Sequence, residues 1–111
     1  MAVSTTVLIA AKTAESSQTA QYTANGVSAI IDKFTATNYD TVARTISVNL
    51  VASGGSTGND NLIIKAKTLQ ASETYTFPEL VGQVIAAGGF ISTIASSGTS
   101  VNIRASGREI S

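Results

Sequence analysis

The chain has 111 residues, no cysteine, no histidine, and seven basic residues against seven acidic ones. That excludes disulfide stapling, thiolate metal sites and any His- or Cys-based catalysis, and it leaves no basic block to grip nucleic acid. Charged side chains are only 13% of the sequence, against roughly 25% in ordinary soluble domains. Hydroxyl and amide groups carry the polarity instead, a composition suited to strands whose outer faces end against other protein. A chain of this length is expected to be one domain, residues 1–111, burying roughly two thirds of its unfolded surface.

Residues 4–11 are the first predicted strand. Thr6, Leu8 and Ala10 alternate with Thr5, Val7 and Ile9, which puts apolar groups on both faces, more than a solvent-facing edge strand should carry. Packing against another protein chain is therefore expected, with Thr5, Val7, Ile9 and Tyr22 as the candidate partner contacts and residues 1–20 as an N-terminal arm or edge strand. Val7–Ala11 is too short to span a bilayer and has no basic segment before it, so neither a membrane span nor a leader is expected. Lys12 to Thr19 reads as a polar connection, and Gln21-Tyr22-Thr23 as a brief strand closed by the turn pair Asn25-Gly26.

Val27 to Thr37 is the longest β-prone run. Ile30, Asp32, Phe34 and Ala36 fall on one face, and Ala29, Ile31, Lys33 and Thr35 on the other. With a charge on each face, this strand is predicted to pass from core to rim. Asn38-Tyr39-Asp40 makes a turn. Thr45 to Ala52 then alternates with period two, directing Ile46, Val48, Leu50 and Ala52 inward. A loop rich in glycine, Ser53 to Asp60, leads to a second alternating run, Asn61 to Leu69, with Leu62, Ile64 and Ala66 inward and Lys65 and Lys67 outward. These two runs predict a β-hairpin, whose apolar face the rest of the chain must cover.

Thr74 to Phe77 is a short strand stopped by Pro78, the only proline. Pro78 to Gly82 is compatible with one helical turn, Gln83 to Ile85 is extended again, and Gly88-Gly89 turns. Phe90 to Ala95 and Ser100 to Ser106 are predicted to form a second hairpin around Ser96–Thr99, and Gly107 allows a bulge before Arg108. About eight short strands with regular turn signals mark an all-β fold, a single antiparallel β-sandwich of jelly-roll or immunoglobulin-like type. The expected core includes Ile46, Val48, Leu50, Leu62, Ile64, Val101 and Ile103.

No catalytic constellation is found. The acids Asp32, Asp40, Asp60, Glu73, Glu79 and Glu109 stand singly, not in the pairs that glycoside hydrolysis requires. The loop Gly54 to Asp60 lacks the Lys-Ser/Thr ending of a phosphate cradle and joins strand to strand. Asn59-Asp60-Asn61 lacks the spacing and closing Glu of a calcium loop. The chain is therefore read as no enzyme, with no catalytic, metal or cofactor-binding residue and no cofactor.

One pattern runs from Asn38 to the C-terminus. It comprises the strand Thr45–Val51, the loop Ser53-Gly54-Gly55-Ser56, Asn61–Lys65, Glu73-Thr74-Tyr75, Glu79-Leu80-Val81-Gly82, Ala87-Gly88-Gly89, and the ending Ser106-Gly107-Arg108-Glu109-Ile110. It resembles the small β-sandwich virion proteins of tailed bacteriophages, and at this length the cement, or staple, proteins that decorate short-tailed phage heads. The resemblance implies a protein without chemistry that sits outside the capsid in the virion, assembled in the host cytoplasm. It would clamp neighbouring major capsid protein subunits, often as a homodimer. Nucleic acid, membrane and small-molecule substrate are not expected as partners. Two alternatives stay open: a carbohydrate-binding sandwich module of a receptor-binding fibre, and a neck or tail component. Three tyrosines and no tryptophan weigh against the first.

Overall fold

The computed structural model describes residues 2–111. Nine strands occur in order: β1 (Val3–Thr13), β2 (Thr19–Thr23), β3 (Ser28–Asn38), β4 (Arg44–Val51), β5 (Leu62–Leu69), β6 (Thr74–Thr76), β7 (Val84–Ile85), β8 (Phe90–Ala95) and β9 (Val101–Ile110). A single 3₁₀ turn, Asn59–Asn61, precedes β5. One sheet has the order β1-β9-β3-β6, with β7 also paired to β3, and the other has the order β2-β8-β4-β5. Every ladder is antiparallel.

The pairings are nested around the predicted central hairpin. β4 pairs with β5 at the tip, then β3 with β6, β2 with β8, and β1 with β9. Rolling this long hairpin onto itself brings β9 against β3 and β8 against β4. The antiparallel β-sandwich expected from the sequence is thus present, and its strand order is that of a jelly roll, not an immunoglobulin fold. β6 and β7 lie along the same edge of β3 and act as one strand interrupted by Phe77–Gln83. The helical turn expected at Pro78–Gly82 is instead a series of tight turns, Leu80 N–H to Phe77 O and Val81 N–H to Pro78 O, ended by Gly82 at φ +85°.

Between the sheets lie Phe34, Phe77, Ile31, Ile46, Leu69, Leu80, Ile91 and Ile103, all fully buried. Phe77 meets Phe34 edge-on at 5.3 Å between ring centroids and Tyr75 at 4.7 Å. Of the expected core, Ile46, Val48, Ile64, Val101 and Ile103 are buried, whereas Leu50 and Leu62 are only half-buried. A register shift after Val48 sets Leu62 opposite Asn49 on the outer side, and Leu50, though opposite Ile91, lies beyond the last residue of β4 that pairs with β5.

Three further expectations are corrected, two of them by bulges. In β5, Ile46 faces Lys67 while Val48 faces Ile64, so β5 carries an extra residue, with Ala66 at φ +47°. The bulge exposes Ala66 and turns Lys67 toward the other sheet, where its ammonium lies 4.4 Å from the Tyr75 ring centroid; only Lys65 remains outward. In β3, Ile31 faces Gly107 and Lys33 faces Ser106, so Asp32 is the extra residue. Both charges of β3 are exposed, while Ala29, Ile31, Phe34 and Ala36 all face the core. The predicted second hairpin does not form. β8 is already flanked by β2 and β4, and β9 by β1 and β3, so Ser96–Ser100 crosses between sheets, held by the Ser96 N–H to Thr45 O bond of 3.0 Å.

Candidate functional site

Directly opposed residues in adjacent strands point to the same side of a sheet, so the register defines the outer face of the five-stranded sheet. Val3 lies opposite Ile110, Thr5 opposite Arg108, and Val7 opposite Ser106. Ile30 lies between Arg108 and Val84. One end of this face therefore gathers Val3, Val7, Ile30, Val84 and Ile110 from four strands. Val84 is 62% exposed, Val3 59% and Val7 49%. The opposite end is lined by hydroxyls, with Thr37 and Thr74 sharing a 2.8 Å hydrogen bond.

A broad, shallow depression of about 660 Å³ lies at the apolar end, lined by Thr5, Thr6, Val7, Asp32, Ser106 and Gly107. Two bulges shape it. β1 carries an extra residue between Val7, which faces Ser106, and Ile9, which faces Ala105, and the Asp32 bulge of β3 lies across β9 from it. Bulges kink and twist a sheet locally. Between them Gly107 is mandatory: a Cβ there would strike the carbonyl oxygen of Ile30 and lie 3.0 Å from Leu8 Cδ1. The rim carries a two-pronged ion pair, Arg108 Nη2 to Asp32 Oδ1 at 2.9 Å and Nε to Oδ2 at 3.1 Å.

Of the four candidate contacts, the fold brings Thr5 and Val7 together on this face. Ile9 is turned inward by the β1 bulge and joins Leu8 in the core, 2% exposed, so it has no surface to offer another chain in this fold. Tyr22 belongs to β2 of the other sheet and is half-buried. Its hydroxyl donates to Glu109 Oε2 at 2.5 Å, and burial together with that carboxylate raises its pKa well above the usual tyrosine value. Among the described residues, 2–20 do not form a detached arm: β1 is the edge strand of the expected alternative, paired with β9 from Val3 to Thr13. Ile30, Val84 and Ile110 complete the face and were not legible as a group, because only cross-strand register unites them.

Among the described residues, no group of three or more His, Cys, Asp or Glu is placed to hold a metal ion. Asn61 of the Asn59-Asp60-Asn61 run is spent on its own loop: its Oδ1 accepts from Asn49 Nδ2 at 2.7 Å and from Gly58 N–H at 3.1 Å. What the outer face can do is bind, through apolar contact flanked by one ion pair. Fold and face together define a jelly-roll β-sandwich with an apolar patch on its larger sheet. No family model matches this chain, and no curated protein or solved structure is significantly similar to it. No helix among the described residues is long and apolar enough to cross a membrane.

Proposed function

We propose that this protein is a capsid cement protein, which binds the outside of a phage head and clamps neighbouring major capsid subunits without chemistry. The observation that carries the reading is the outer face that gathers exposed Val3, Val7 and Val84 with half-buried Ile30 and Ile110 around the Arg108–Asp32 pair. Exposed apolar side chains gathered on one face among polar groups mark interaction surfaces, and β1 has no charged residue before Lys12 to keep other protein away. The resemblance described above names the partner, and the low charge of the chain suits a surface covered in an assembly. A second copy of the chain, forming a homodimer, shares the work of bridging. Each contact needs only modest area, because repetition over a symmetric shell multiplies it.

The test compares particles with and without this protein, heated or diluted into low-salt buffer with chelator. Earlier DNA release from the undecorated particles is the expected result. Equal robustness, with lost adsorption to host cells instead, would transfer the case to a receptor-binding role. Copy number separates the neck or tail alternative: occupancy at symmetry positions all over the shell is expected, not a single ring at one vertex.

A further inference from the structure

A second concave region lies on the outer face of the four-stranded sheet, on the far side of the sandwich from the apolar patch. It is an open groove of about 300 Å³, at the lower limit of the roughly 300–1,000 Å³ of small-molecule sites. Its lining combines neutral polar groups, two apolar side chains and one cation. Gln18, Ser47, Thr57 and Asn59 supply neutral amides and hydroxyls, Ile94 and Leu62 form an apolar floor, and Lys65 is the only charge. No acid lines the groove, and Lys65 is in no ion pair among the described residues.

The groove is braced from beneath more heavily than a solvent-facing strand surface requires. Asn49 is 4% exposed and Ser92 1%, although the register places both on the outer side of their sheet, opposite one another. Gln18 Nε2 donates to Ser92 Oγ at 2.8 Å, and Asn49 Nδ2 donates to Asn61 Oδ1 and to Gly58 O at 3.1 Å. These bonds fix the Gly58–Asn61 wall against β4. The other wall is the β5 bulge, where Ala66 holds a left-handed conformation and its N–H donates to Ser47 Oγ at 2.8 Å. Backbone strain of this kind persists only where the surroundings enforce it, and it concentrates at binding sites. Its consequence here is that Ser47 Oγ is held with its proton free to donate, beside Lys65, while the Lys67 side chain is turned away toward the other sheet.

We infer that this groove binds a saccharide carrying a carboxylate. The neutral donors and acceptors match the hydroxyls of a sugar ring, Ile94 and Leu62 match its C–H face, and Lys65 matches the acid. Gln18 is already held by Ser92 and Ser47 by the Ala66 N–H, which reduces their share of the ordering cost of binding. The inference does not depend on shell binding, since the two surfaces lie on opposite sheets.

The experiment is an NMR titration of ¹⁵N-labelled protein with trigalacturonate, using maltotriose as the neutral counterpart. Saturable shifts are expected at the amides of Ser47, Gly58, Asn59, Lys65 and Ala66 with the acidic trimer and not with the neutral one. Lys65→Ala, at an exposed position that leaves the fold intact, should weaken binding about tenfold, the usual scale for losing a hydrogen bond to a charged group. Lys33→Ala, on the opposite sheet, should leave it unchanged. The absence of saturable shifts, an equal response to maltotriose, or binding indifferent to Lys65→Ala would each overturn the inference.

Discussion

The hydroxyl of Tyr22 and the carboxylate of Glu109 meet at 2.5 Å and tie β2 of one sheet to β9 of the other. A half-buried carboxylate that lost this donor would keep the cost of its lost hydration. Tyr22→Phe should therefore destabilise the fold by about 1–3 kcal/mol, read as a lower urea midpoint with an unchanged slope. The pair also has an alkaline signature. Burial first, and Glu109 second, raise the pKa of Tyr22 in the folded state. Above about pH 10 the unfolded chain loses this proton before the folded one does, so stability falls as pH rises. Tyr22→Phe should flatten that alkaline decline.

Asp40 gives the corresponding acidic signature. Its carboxylate accepts from Ser100 Oγ at 2.7 Å, from the Thr41 N–H at 2.7 Å and from Arg44 Nη2 at 2.8 Å. These bonds, the Ser100 hydroxyl foremost, hold its pKa at about 2. As pH falls the unfolded chain takes up this proton first, so the stabilisation is complete above the ordinary value of 3.8 and is lost as pH drops through about 2. Asp40→Asn should lessen the acid dependence of the urea midpoint between about pH 5 and about pH 2.5.

Gly107 is the tightest point of the larger sheet. Gly107→Ala should cost about 1–3 kcal/mol through overpacking against the Ile30 carbonyl. Gly98→Ala is the control, because a Cβ there meets nothing nearer than Ser16 Oγ at 3.5 Å. It should change stability by no more than about 0.5 kcal/mol. Thermal unfolding of the two variants checks the contrast.

Within the core, Ile46 is fully buried and Leu50 is not. Ile46→Ala should cost about 2–5 kcal/mol, and Leu50→Ala clearly less, in the same denaturation assay. Equal losses at the two positions would contradict the difference in burial between them.

Val7 tests the outer face. Deleting residues 2–11 is a poor probe, because it removes Leu8 and Ile9 from the core and strips β9 of one of its two partners. Val7→Glu places a charge on the patch at an exposed position, so the fold should change by no more than about 0.5 kcal/mol. Binding to undecorated particles, measured by co-sedimentation, should fall sharply, because a buried, unpaired charge is costly. Wild-type binding would remove Val7 from the interface.

Period-two alternation in Thr45–Ala52 and Asn61–Leu69, with turn residues between, was enough to determine an all-β sandwich built around one hairpin. The nested pairs extend from that hairpin, because sequential strands separated by turns fold back on each other. Three things were decided only in the tertiary structure. Which side of the roll each strand joins depends on contacts between strands distant in sequence, so Phe90–Ala95 and Val101–Ile110 part into different sheets despite the short turn between them. Bulges depend on the partner strand, so the inward turn of Ile9, the paired exposure of Asp32 and Lys33, and the reorientation of Lys67 leave no local trace. Asn38, which reads as an ordinary turn residue, is fully buried and donates to Leu69 O at 3.0 Å and Val42 O at 2.8 Å. Local pattern records which side chains prefer a core. Only the closed roll determines which backbone carbonyls come within reach of a buried amide.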